Sequence, residues 1–477
     1  MSSLILPKQK FFISNWTKET ELVVLGISSI GGFFLRLYVI QFHPFVNFDG
    51  VYYINYFRDV HWQSVFHPGY PLSIELVRLF ISDGVFAAQI VSAVFGALLP
   101  IPLYYVGRHY LNSWMAFMMV MIAVMNPLMV RFSALTMSEA QFIFFQLCAF
   151  LFYLKRNPIA LGISSGLAYL TRPEALAFVG VFLLYDGIKQ RAWKFVSLVC
   201  VSFILCAIPY IVYVGVSSGE WTLSPKTMNI RVWEQDWRSN VAGEASNTPE
   251  QTVAMRAESS IKNYPERFIA YIDLLLVFGG IPLFILAVIG MARYRNILLA
   301  GIVMFLFLPL FGLLTIDRFV VPYIPFLAIF AMLTLDYFRK DLVKLLGIAI
   351  VILGYISTTW YALSPEEGTE EFCRAGVAMK SLTHHGDIFL DRKPYTAFYA
   401  GGRYEFIPND PLDSIIAYAK RIRAKYLVIS ARVVRVFRPQ LAGLLYEDST
   451  VQRYNLRTVY LDGLETGYGV RVVGIAY

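Results

Sequence analysis

One polar stretch between two apolar runs gathers several residues with acid–base chemistry. It runs from His43 to Pro71 (HPFVNFDGVYYINYFRDVHWQSVFHPGYP) and carries Asp49, Arg58, Asp59, His61 and His67 among many aromatics. A connection between neighbouring helices needs only a few residues, so this stretch is too long for a turn. Asp49, with Gly50, Tyr52 and Tyr53 after it, can take a proton from an attacking hydroxyl or amine. Such general-base catalysis is worth about 10²–10⁴ in rate. The competing use of Asp-Gly is a solvated turn, and on these two residues alone the turn is the simpler account. His67-Pro68-Gly69-Tyr70-Pro71 reads either as a rigid entry into the next helix or as a phosphate contact through His67. Asp59 is expected to face water or to pair with Arg58.

The elements around this loop are apolar. The chain has 477 residues, is 57% hydrophobic and 16% charged, and has mean hydropathy +0.56. Soluble chains are nearer a quarter charged. About eleven runs reach membrane length, near 20–42, 85–107, 112–130, 139–154, 158–171, 173–188, 195–216, 270–292, 297–316, 319–338 and 342–363. The class is therefore mainly α: a polytopic transmembrane bundle, since a spanning helix satisfies its own backbone in lipid. Lys8, Lys10 and Lys18 precede a first run too long for a signal-peptide core, which reads as an uncleaved helix. Cys148, Cys200, Cys206 and Cys373 are scattered, with neither metal spacing nor a disulfide framework.

The formal net charge of +8 does not indicate nucleic acid, because much of the excess lies in short loops. With the N-terminus cytoplasmic, the inner loops hold Arg108–His109, Lys155–Arg156, Lys189/Arg191/Lys194, Arg293/Arg295 and Arg339/Lys340/Lys344. Each is basic, as the positive-inside rule requires. A first outer loop (43–84), a second outer loop (217–269) and the tail then lie outside. This divides the chain into a membrane domain, 1–363, and a soluble extracytoplasmic α/β domain, 364–477. In the tail, GDIFLD (386–391) and AKYLVIS (424–430) read as buried strands. Asp410 and Pro411 open a helix that runs on through Ile415–Arg423. A short helix near Pro439–Leu445 and strands around Arg457–Leu461 and Val470–Ala476 complete the domain. In the second outer loop, Pro249–Tyr264 has helical spacing suited to a membrane surface.

Some charges stand on the wrong side for topology. Arg131, Arg172 and Arg318 fall at outer helix ends, Arg36 within the first run, and Glu139, Glu174 and Asp317 at the same level. A charge at mid-membrane costs roughly 2.5–3.5 kcal/mol on insertion scales. Taken singly, these read as snorkelling side chains or local pairs such as Arg172 with Glu174. Taken together, three outward arginines near an acidic loop suit an anion, and guanidinium matches phosphate oxygens with a rigid fork. A lipid phosphate is the natural ligand.

The arrangement resembles the GT-C glycosyltransferases, in particular the protein O-mannosyltransferases and lipid-A aminoarabinose transferases. Five stretches carry the resemblance: Phe48–Tyr53 (FDGVYY), His67–Leu72 (HPGYPL), Leu135–Glu139 (LTMSE), Leu170–Glu174 (LTRPE) and Asp317–Pro322 (DRFVVP). Many relatives have Asp-Glu where this chain has Asp49-Gly50. The resemblance implies an integral membrane enzyme, in a bacterial or archaeal plasma membrane, that moves a sugar from a polyprenyl-phosphate carrier. The acceptor is a lipid, glycan or protein on the extracytoplasmic face, and the configuration inverts. It further implies Asp49 as base, Glu139 orienting acceptor or sugar, and Arg172 and Arg318 on the donor phosphate. Arg131, Arg58, His67, Tyr52 and Tyr53 are further substrate contacts. No cofactor is required, while a divalent Mg or Mn ion bridging Asp49 and phosphate stays open. A carrier flippase is the alternative, but polar groups on one face without an internal repeat favour the enzyme.

Overall fold

The computed structural model describes residues 16–58, 66–219, 221–224, 264–294, 299, 302, 317–365 and 369–476. Asp59, His61, nearly all of the expected surface helix 249–264 and nearly all of the expected span 297–316 lie outside them. Within the described residues the chain forms two compact units. One comprises residues 16–43, 66–224 and 264–364; the other comprises residues 44–58 and 365–476.

The first unit is helical: α1 Lys18–Ile40; then, with α2 reserved for Phe48–Asn55 in the other unit, α3 Gly69–Arg78, α4 Gly84–Tyr110, α5 Ser113–Val124, α6 Pro127–Phe132, α7 Glu139–Leu154, α8 Pro158–Thr171, α9 Ala175–Leu184, α10 Trp193–Ser218, α11 Tyr264–Gly279, α12 Ile281–Tyr294, α13 Ile324–Tyr337 and α14 Asp341–Leu363. Five described helices are long and apolar enough to cross a membrane. Several present large apolar side chains outward, such as Ile27, Ile30 and Phe34 on α1, and Leu353 and Ile356 on α14. That surface requires an apolar solvent. This unit is a membrane bundle.

Its centre is α13, buried along nearly its whole length, where Phe326 meets Phe150 of α7 and Phe178 of α9. Gly162 and Gly166 let α8 approach α10, since a Cβ at either would run into Ser202 or Cys206. Small residues four apart serve close helix contact in membranes.

Two expected spans are not single helices. The run 112–130 breaks at Asn126-Pro127, where the Asn126 side chain caps α6 by accepting from the Leu128 and Met129 amides. The run 270–292 bends by 118° between α11 and α12. Gly280 takes the turn at φ 85°, a conformation that costs a glycine little.

In the second unit, α2 is joined by α15 Glu370–Met379, β1 Ile388–Asp391, α16 Tyr395–Ala400, β2 Arg403–Phe406, α17 Leu412–Arg421, β3 Tyr426–Ser430, β4 Leu456–Asp462 and β5 Val470–Ile475, with short helical turns between β3 and β4. The sheet order is β2-β1-β3-β5-β4. β2, β1 and β3 are parallel, and β5 runs antiparallel to both β3 and β4. Mixed sheets with an antiparallel edge are common in α/β units. β3 is buried at every residue, as its YLVIS run predicts. The 410–423 helix begins at Leu412 with Pro411 in the capping place, one residue later than the sequence suggests.

Candidate active site

In the membrane unit, several of the stretches singled out in the sequence meet. Thr171 ends α8 and Pro173 follows Arg172. A residue before proline is pushed out of the helical region, and Arg172 is extended at φ −151°, ψ 137°. Its guanidinium Nη1 donates to Glu139 Oε1, and its Nη2 to Glu174 Oε1 at 3.1 Å. Glu139 is the first residue of α7, where the helix dipole favours a carboxylate. Arg172 is 4% exposed and Glu139 1%, so these two form a buried ion pair, with the partly exposed Glu174 beside it. The Arg172 guanidinium also lies 5.8 Å from the Phe319 ring, which brings in the 317–322 stretch. Among the described residues, Glu139 Oε2 is buried without a hydrogen-bond partner.

The HPGYP stretch packs on the same place. Gly69 approaches so closely that a Cβ would stand 2.7 Å from the Leu170 carbonyl oxygen. Gln141 Nε2 donates to the Gly69 carbonyl at 3.2 Å. The His67 ring meets Tyr169 edge-on at 4.9 Å and Tyr210 at 4.7 Å. Three sequence stretches from separate helices therefore converge on Arg172.

Asp49 lies in the other unit. It occupies the first turn of α2, a favourable place for a carboxylate, and is 8% exposed. Val51, Tyr53 and Ile54 are buried. The helix is docked by aromatics. Phe48 meets Tyr395 of α16 at 6.3 Å and Tyr52 at 5.4 Å, Phe45 meets Tyr399 at 6.1 Å, and the Val46 amide donates to the Tyr399 hydroxyl at 2.9 Å. Burial pushes the Tyr52 hydroxyl well above the usual phenol range; the Asp49 charge adds to this and Arg392 opposes it. Tyr52 therefore stands within electrostatic reach of an acid and a cation.

No family model and no curated protein matches the sequence. Solved structures do match. ArnT from Cupriavidus metallidurans, bound to undecaprenyl phosphate, aligns over 96% of this chain and 99% of its own at TM-score 0.63 and 14% identity. Its apo form aligns over the same shares at TM-score 0.62. An oligosaccharyltransferase from Archaeoglobus fulgidus, tethered to an acceptor peptide containing the NVT sequon, aligns over 87% of this chain and 70% of its own. Its TM-score is 0.58 at 12% identity. The fold is GT-C.

Within this GT-C fold the remaining expected site residues occupy varied places. Arg131 is engaged with α14: its Nη1 donates to the carbonyls of Tyr361 and of Ser364, the latter at 2.6 Å, and its guanidinium lies 4.4 Å from the Tyr361 ring. Arg318 lies 5.0 Å from the Phe319 ring. Its neighbour Asp317 accepts from the Arg318 amide at 2.8 Å and from the Tyr361 hydroxyl. Arg58 is exposed just past α2, its amide bonded to the Asn55 carbonyl at 2.9 Å. Arg36 is wholly buried and donates to Ser133 Oγ at 2.6 Å and to the Gly32 carbonyl at 2.9 Å. Among the described residues, no three His, Cys, Asp or Glu side chains group as a metal site would need. Sequence reasoning passed over Arg392 and Lys393. Their signal was a basic pair directly after a buried strand, in FLDRKP.

Proposed function

We propose that the protein is an integral membrane glycosyltransferase that takes a sugar from a polyprenyl-phosphate carrier and passes it to a hydroxyl or amine acceptor. The observation that carries this reading is the GT-C fold over nearly the whole chain, with an aspartate at the start of a buried, aromatic-docked helix in the first loop. In this reading Asp49 accepts the proton of the acceptor O–H or N–H. The freed electron pair forms the new bond to the anomeric carbon as the carbon–oxygen bond to phosphate breaks. The polyprenyl phosphate leaves with that electron pair, and the configuration inverts. Charge builds on the departing phosphate, so preorganised cations give much of the rate.

Arg318 is assigned to that phosphate. Arg172 is shared by two carboxylates, which a phosphate would have to displace, so we assign it to holding Glu139. The free oxygen of Glu139 then takes a hydroxyl of sugar or acceptor. Arg131 is assigned to structure, and His67 to the aromatic wall beside Arg172. The positive-inside pattern supports placing Asp49 and the C-terminal unit on the extracytoplasmic face. A resident metal is not part of the reading; a divalent ion recruited with the phosphate is tested by chelation. The functional test is transfer of labelled sugar by the wild-type protein in proteoliposomes supplied with polyprenyl-phosphate sugars and cell-envelope acceptor. Labelled, inverted product supports the reading. Carrier crossing the bilayer without any transfer would assign the protein to flipping instead.

A further inference from the structure

The second unit holds cations beside the helix that bears Asp49. Its parallel strands stand in the order β2-β1-β3, so the chain leaves β1 to one side and crosses back to reach β3. In open α/β sheets, ligands bind outside the carboxyl ends of strands at such a reversal. β1 ends on Asp391, and Arg392 and Lys393 follow it. The wholly buried Asp391 accepts from the amides of Arg392 at 2.6 Å and Lys393 at 3.3 Å. The base of the cationic loop is thereby fixed. The Arg392 guanidinium lies 5.1 Å from the Phe406 ring and 4.8 Å from the Phe437 ring. Ring faces orient a guanidinium while its N–H donors lie in its own plane. Lys393 Nζ lies 4.8 Å from the ring of Phe48, the residue before Asp49. Tyr52, one turn along α2, responds electrostatically to both Asp49 and Arg392. One unit therefore brings an acid, a phenol and two anchored cations to one helix.

We propose that Arg392, assisted by Lys393, binds the phosphate of a polyprenyl-phosphate ligand at α2. The choice of donor rests on the glycosyl-transfer reading, but phosphate binding is measurable without turnover. Arg392 and Lys393 belong to the same unit as Asp49, and the charge they offer a phosphate is additional to that of Arg318.

The test measures binding of undecaprenyl phosphate, undecaprenol and inorganic phosphate to the full chain in nanodiscs. Wild type is compared with Arg392→Gln, Arg392→Lys and Lys393→Gln. A charge-assisted hydrogen bond is the interaction removed, so Arg392→Gln should weaken undecaprenyl phosphate roughly 10- to 100-fold. Undecaprenol binding should be unchanged. Arg392→Lys should fall between, because lysine keeps the charge and loses the fork. Wild-type affinity for undecaprenyl phosphate in a folded Arg392→Gln protein would overturn the proposal. If that variant does not fold, Lys393→Gln decides: unchanged affinity there overturns it. Displacement by inorganic phosphate at equal concentration would assign the site to free phosphate and reject the lipid donor. Arg392-dependent binding without sugar transfer would retain this site and reject the transferase reading; transfer with a donor KM indifferent to Arg392→Gln would do the reverse.

Discussion

Arg172 donates to Glu139 with one arm of its guanidinium and to Glu174 with the other. The Glu139 link joins residues 33 apart in the chain, one at the end of α8 and one at the start of α7. In the proposed reading it makes Arg172 the support of a buried acid.

That pairing predicts an asymmetric response to mutation. Arg172→Met strands the Glu139 carboxylate in a buried place, a change that costs about 3–5 kcal/mol. Glu139→Gln keeps a hydrogen-bond acceptor and should cost less. In the double variant the stranded charge is gone, so it should be more stable than the sum of the singles. Melting curves of the three proteins in detergent measure the coupling, and simple additivity would remove the buried-pair account.

Gly69 separates contact from flexibility. A methyl group there would collide with the Leu170 carbonyl, which is backbone and cannot swing away. Gly69→Ala should cost about 1–3 kcal/mol by overpacking and should lower activity by displacing His67 and Arg172. Gly31→Ala, with nothing within 4 Å of the added carbon, is the control and should change little. Equal melting temperatures for both variants would show that the close approach has no consequence.

Asp391 predicts a pH dependence in the C-terminal unit. Burial pushes its carboxyl up to about 7, against the opposing pull of the Lys393 and Arg392 amides. Between the ordinary carboxyl range and that value, the folded state holds a proton that the unfolded state has lost. Stability of this unit should therefore fall as pH rises from the ordinary carboxyl range through about 7 and level off beyond it. Asp391→Asn keeps an oxygen for the two amides and has no proton to lose, so the decline should flatten. Thermal unfolding of the wild type and this variant from pH 5 to 8 tests the sign; a wild-type melting temperature rising with pH would contradict it.

Arg131 is predicted to hold structure rather than donor. Its carbonyl contacts and its stacking on Tyr361 tie α6 to the end of α14. Arg131→Ala should cost about 1.5–3 kcal/mol, the range for a hydrogen bond made by a charged group, while donor affinity in the folded fraction stays unchanged. Loss of donor affinity at unchanged stability would move it to the binding site.

The bundle was legible because the apolar runs between Leu22 and Leu363 are long and their flanking charges are asymmetric. The breaks at Pro127 and Gly280 were visible as residues, but a hydropathy window averages across them. Strands β1 and β3 were legible as continuous apolar runs. β2 was not, because Arg403–Phe406 is four residues long, half of them charged, and earns its place by pairing with β1. The Arg172–Glu174 pair could be read from spacing, whereas Glu139 joins it only through the packing of α7 on α8. Arg392 escaped notice because its significance depends on strand order, which no local pattern records.

Transfer by Asp49→Asn protein beside wild type, with donor binding measured on the same samples, tests the central claim most directly. Asparagine preserves the size of the side chain but cannot accept the acceptor's proton. The variant should bind polyprenyl-phosphate sugar as wild type does and transfer it about 10²–10⁴ times more slowly. Transfer at the wild-type rate would contradict the account, leaving α2 as architecture and Glu139 as the acid to test next.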